Sequence, residues 1–184
     1  MSMPSAAPSL TPLHRRFVVA WGEFAGRWGV GRVAAQAWAL LYLAEEPMTA
    51  EEITKALRVA RSNVSGAMRE LDAAGIIAVA HRLGDRRAYY SAERNVAEVI
   101  RRLAAARRRR EIDPAVEALR DMARTAKEPP RGAAQAADAG DRLAGLLEGM
   151  EALAAVYAAV ELLPDRAVPR LARTPARAAK ALAG

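Results

Sequence analysis

A mainly helical chain with one small β-hairpin is what the sequence predicts, and three observations carry that prediction. Apolar residues recur at steps of three and four over most of the 184 residues. Two short helical segments joined by a tight turn occupy the middle of the chain. Directly after them the apolar period changes to that of a strand, on either side of Gly84-Asp85, which supplies turn chemistry.

Taken in order, residues 1–10 are small, polar and proline-rich and are expected to form a disordered arm. A helix starts at Thr11, with Pro12 suited to a first turn that has no use for its missing N–H. Phe17, Trp21, Phe24 and Trp28 then follow at steps of four, three and four, a single helical stripe. Gly29 and Gly31 break that helix, and a second runs from about Arg32 to Glu45, before Pro47. Thr49-Ala-Glu-Glu52 is a capping box: the threonine hydroxyl accepts the amide of Glu52, whose carboxylate reaches back to the amide of Thr49. The helix it opens ends near Leu57, and the next runs from Arg61 to Gly75 with Val64, Met68 and Leu71 inward. Ile76-Ile-Ala-Val79 and Ala88-Tyr-Tyr90 are the two strands of a hairpin. A hairpin placed directly after two such helices is a wing, so the middle of the chain is a winged helix-turn-helix.

Helix resumes near Asn95, with Val96, Val99, Ile100 and Leu103 as its apolar face. Asp113-Pro114 marks a kink or restart, after which Val116, Leu119 and Met122 continue the stripe. Glu128-Pro-Pro-Arg-Gly132 reads as a linker, and a last helix covers roughly 133–163 with Leu143, Leu146, Leu147, Met150, Leu153, Val156 and Val160 on one side. From Arg166 to Gly184 there are five basic residues and no acid, and loose order is expected. The flanking stripes are more generous than a monomer needs, so long dimerisation helices are expected on both sides. The organisation is then an arm at 1–10, a dimerisation helix at 11–30, a DNA-binding module at 31–94, dimerisation helices at 95–163 and a basic tail at 164–184.

Composition narrows the chemistry. There is no cysteine, and His14 and His81 are the only histidines, so thiolate and histidine metal sites are not expected. No phosphate loop, paired catalytic acid or activated nucleophile stands out, so neither an enzyme nor a cofactor is expected. An unbroken run of about 20 apolar residues is missing, and the first ten residues lack a signal-peptide pattern. A cytoplasmic chain without a membrane partner follows as the expectation. Twenty-eight basic against 21 acidic residues give a net charge of +7, which favours a polyanionic partner. Arginine outnumbers lysine 25 to 3, so coding bias is an alternative source of that charge.

In a helix-turn-helix the second helix enters the major groove with its first turns at the base edges. Opposite Val64, Met68 and Leu71 lie Arg61, Ser62, Asn63, Ser65, Gly66 and Arg69. Asparagine suits adenine, arginine guanine or phosphate, serine either, and glycine allows close approach. Thr49 is added as a candidate contact, and Arg82, Arg86 and Arg87 on the wing suit a narrow minor groove. Asp85 would be repelled by DNA if free, so its expected role is to hold Arg87 across the turn. The bland reading of both surfaces is a solvated polar face, and a protein- or RNA-binding module is the alternative function.

A resemblance joins these segments. Trp21-Gly22-x-Phe24-x-x-x-Trp28-Gly29-x-x-Arg32, Met48-Thr-Ala-Glu-Glu-Ile53, Arg61-Ser-Asn-Val-Ser65, Arg69-Glu-Leu71 and Gly84-Asp-Arg-Arg87 with Tyr89-Tyr90 resemble the MarR-type winged-helix regulators. The likeness is greater to their glycine-betaine-synthesis regulator (GbsR) branch, and it covers roughly 13–125. It implies a homodimer that binds a palindromic operator in double-stranded DNA, usually as a repressor, and is often released by a small molecule. It also implies that Arg87 of the Asp85-x-Arg87 pair enters the minor groove. Ala60 departs from the family pattern, where a serine often caps the recognition helix; losing that cap costs about 1 kcal/mol.

Six of the nine aromatic residues lie between Phe17 and Tyr42. Ala37, Leu40, Leu41 and Ala44 share one face of the second helix, with Trp38 and Tyr42 on the other, so this helix is expected between the first helix and the DNA-reading module. Phe17, Trp21, Phe24, Trp28, Trp38 and Tyr42 could cage a quaternary ammonium effector, bind another aromatic or apolar effector, or simply pack.

Overall fold

The computed structural model describes residues 10–27, 29–126 and 134–167. Trp28, nearly all of the expected arm, the linker at 128–132 and the tail from 168 onward lie outside the described residues. The chain divides between Val96 and Ala97 into two compact units.

In the first unit, α1 (Pro12–Gly26) begins at Thr11, whose hydroxyl accepts the His14 amide at 3.2 Å. Helix α2 (Arg32–Leu43) is buried nearly all round, from Ala34–Ala35 to Ala37–Leu41, because α1 packs on one side of it and α4 (Arg61–Ala73) on another. Small residues make this sandwich possible. A Cβ on Gly22 of α1 would come within 2.5 Å of the Gln36 Cγ of α2. The start of α2 is tied to α4, since the Gly31 amide donates to Glu70 Oε1 at 3.1 Å.

A three-stranded antiparallel sheet follows, in the order β1-β3-β2: β1 (Met48–Thr49), β2 (Ile77–His81) and β3 (Ala88–Ala92). The hairpin was expected, and β1 adds to it. Two residues carry no period of their own, and this strand exists only through its pairing of Met48 with Tyr90 and Thr49 with Tyr89. Helix α3 (Ala50–Leu57) starts at the capping box, with Thr49 N–H to Glu52 Oε2 at 2.7 Å and Glu52 N–H to Thr49 Oγ1 at 3.3 Å. Val64, Met68 and Leu71 of α4 are buried, joined by Ala67, and Gly75 takes the left-handed conformation that ends the helix.

The second unit begins in α5 (Val96–Arg107). The expected face of this helix is rotated: Val96 and Ile100 are exposed, while Ala97, Val99 and Ala104 are buried. Arg101 lies between the buried Ala97 and Ala104. It turns inward and donates to Glu98, to Asp165 and to the Leu163 carbonyl. A π-helical turn, Arg108–Ile112, separates α5 from α6 (Asp113–Ala126) at the expected break, where Pro114 offers no N–H to the helical ladder. Helix α6 packs along α7 (Ala134–Glu161), and ion pairs Arg120–Glu151 and Arg108–Glu161, each 2.8 Å, tie this layer together.

Residues 139–161 of α7 are, by length and composition, long and apolar enough to cross a membrane, with a mean hydropathy of 1.5. Glu148 and Glu151 interrupt the apolar run in the sequence, while alanine and leucine around them keep the average high. Leu143, Leu147 and Met150 are half-buried in the unit, whereas Leu146, Leu153 and Val156 are exposed.

Candidate nucleic-acid interface

The surface forms where α3, α4 and the wing meet. Because Val64, Ala67, Met68 and Leu71 anchor α4 to the core, its helical rotation leaves Arg61, Ser62, Asn63, Ser65 and Arg69 exposed on the opposite side. Gly66 lies among them, and a Cβ built there meets nothing within 4 Å. No packing demand of the described fold therefore requires a glycine at that position. Ala60, as expected, gives α4 no side-chain cap.

At the wing, the Asp85 amide donates to the Arg82 carbonyl at 3.0 Å, closing a tight turn in which Gly84 takes a φ of 78°. Asp85 and Arg87, just ahead of β3, meet Tyr89 of that strand on one side of the wing. Arg87 Nη2 donates to Asp85 Oδ2 at 2.6 Å and to the Tyr89 hydroxyl at 3.0 Å, and that hydroxyl donates to Asp85 Oδ2 at 2.7 Å. The Arg82 guanidinium stacks 4.0 Å from the Tyr89 ring centre. Hydrogen bonds from the Arg87 side chain, then from its amide, then from Tyr89 hold the Asp85 carboxyl far below its ordinary range. The same carboxylate raises Arg87 and Tyr89, so both keep their protons. Asp85 thus braces Arg87, as the sequence suggested, and Arg86 stands exposed beside them.

Sequence reasoning missed Tyr89 as the third member of this brace, although the spacing 85, 87, 89 was the available signal. It also missed Leu83, fully exposed at the tip. Thr49 needs correction as a contact: it is 2% exposed, and its hydroxyl is used against Glu52 at 2.8 Å. Its part is to fix the start of α3 beside β3.

Electrostatics join the pieces. Glu51, on the first turn of α3, is lowered chiefly by its hydrogen bond and ion pair with Lys55 (2.7 Å), and then by the charges of Arg87 and Arg61. The wing and the start of α4 therefore act on one neighbourhood, where Glu51 is paired with Lys55.

The described members of the expected aromatic cage, Phe17, Trp21, Phe24, Trp38 and Tyr42, lie on α1 and α2. Phe17–Trp21, Trp21–Phe24, Trp21–Trp38 and Trp38–Tyr42 ring centres are 5.8, 5.6, 5.6 and 4.9 Å apart with interplanar angles of 24–37°. The rings lie against one another instead of around a void. Trp38 Nε1 is buried with no acceptor among the described residues.

A small sheet whose hairpin projects beside a helix-turn-helix defines a winged helix-turn-helix protein. Residues 28–88 match the family model described as the MarR family. No curated protein matches the chain. A crystal structure of a transcriptional regulator shares the fold at a TM-score of 0.62 and 20% identity, over 89% of this chain and 100% of that one. A transcriptional regulator from Thermotoga maritima is 24% identical over 74% of this chain and 88% of its own, with a TM-score of 0.37.

Proposed function

We propose that this protein is a cytoplasmic, sequence-specific DNA-binding transcriptional regulator, a repressor that grips a palindromic operator as a homodimer. The observation that carries this reading is the exposed row Arg61, Ser62, Asn63, Ser65 and Arg69, with half-buried Gly66 among them, backed by a buried apolar face and flanked by Arg82, Arg86 and Arg87. The α4 side chains have the donors and acceptors that base edges present in the major groove, and the wing arginines suit the adjacent minor groove. A protein-binding winged helix would instead expose apolar or acidic groups on this row. The MarR match at residues 28–88 supports a regulator over an enzyme.

Two copies would place their α4 helices about 34 Å apart, one turn of DNA, and occlude a promoter. Exposed Leu13, Val19 and Phe24 on α1, and Leu146, Leu153 and Val156 on α7, supply apolar surface for that pairing. Lipid is the poorer partner for α7, because Glu151 and Glu161 would carry their charge into hydrocarbon. The motif likeness to the glycine-betaine-synthesis branch suggests an effector. The described rings, packed on one another, favour simple packing over a quaternary ammonium cage, which needs free ring faces.

Selection of bound fragments from random duplex DNA tests the proposal, with a palindromic consensus as the expected result. Asn63→Ala should cost about 1–3 kcal/mol on that consensus and little on random DNA. Failure to enrich any sequence would reject the regulator reading.

A further inference from the structure

We propose that Arg58, in the turn between α3 and α4, is a phosphate-gripping residue kept in an unfavourable backbone conformation for that purpose. The inference rests on the DNA-binding reading above and adds a contact outside the recognition helix and the wing. Among the described residues Arg58 is the only non-glycine with a positive φ, at 55°, while Gly29, Gly75 and Gly84 occupy the other left-handed positions. Its amide closes α3 by donating to the Thr54 carbonyl at 2.9 Å. A glycine there would make the same hydrogen bond without crowding a Cβ against the following carbonyl.

No contact among the described residues rewards the arginine side chain. It is exposed, and its guanidinium has no hydrogen-bond or ion-pair partner among the described residues. Lys55, one turn earlier, is already paired with Glu51. Arg58 precedes Arg61 by three residues, at the groove-facing end of the motif, where the first helix crosses the DNA backbone. An unpaired cation held by strained backbone is stable there only at a cost to the fold, and such strain collects where a ligand is gripped. The partner its chemistry fits is a phosphodiester oxygen: a planar guanidinium, always charged, forks onto two oxygens without reading the base.

The test separates this contact from a structural role and from the wider reading. Wild-type protein, Arg58→Gly and Arg58→Lys are titrated into a labelled duplex of mixed sequence at several salt concentrations, and each is melted in parallel. Arg58→Gly should bind about three- to tenfold more weakly at low salt and lower the slope of log K against log salt by about one, with a thermal midpoint equal to or above wild type. Arg58→Lys should retain the slope. Wild-type affinity and slope in Arg58→Gly would overturn the assignment, as would affinity lost together with thermal stability. Wild-type protein that binds no duplex at any salt concentration would instead remove the DNA-binding reading itself.

Discussion

Asp85 shows how a single acid can serve an arginine-rich surface. Its carboxylate is consumed by Arg87 and Tyr89, so the wing presents arginine to solvent and keeps the acid as a brace. The order of causes, led by the Arg87 side chain, sets a pH dependence with a definite sign. The folded carboxyl titrates below its ordinary 3.8, so its contribution to folding is complete above about pH 4 and fades as acid approaches the folded value. A carbon-13 titration should show Asp85 still ionised where other exposed aspartates have protonated. An Asp85 midpoint near 3.8 would mean that the brace is not formed in solution. The same spectrum of Tyr89→Phe, which removes one donor, should move the midpoint upward toward the ordinary value.

Helices were the most legible elements, because each carries its own period and its own punctuation. Thr11, the Thr49–Glu52 box and Gly75 mark ends that can be read from residue type alone, since a cap is a local hydrogen bond. Strand β1 was not legible, because two residues become a strand only when Tyr89 and Tyr90 lie beside them. The face of α5 was misread for a related reason: Arg101 is drawn inward by partners more than sixty residues away. In the candidate site, the row on α4 followed from helical rotation. Arg58 did not, because a left-handed φ leaves no trace in composition. Glu70 offers a test at this scale. It sits on α4 yet accepts the amide that opens α2, where a negative charge also meets the positive end of the helix. Glu70→Ala should lower stability by about 1 kcal/mol in urea denaturation. An unchanged midpoint would mean that α2 needs no help from α4.

At the scale of the molecule, the exposed apolar surface bears on assembly. Apolar side chains stand exposed on α1 and α7, and such surface is normally covered. Sedimentation should report a dimer at micromolar concentration, and Leu146→Asp with Val156→Asp should shift it to monomer and weaken operator binding together. A wild-type monomer would put the pairing elsewhere or nowhere. The short ladder between β1 and β3 has a consequence of its own. Because Thr49 both pairs with Tyr89 and caps α3, the hairpin and the helical pair are clamped like the jaws of a caliper. On the proposed DNA-binding reading, such a caliper would set the step from one groove to the next. Duplexes whose helical phase departs from that setting would have to be twisted before both jaws could seat, even with every contacted base unchanged.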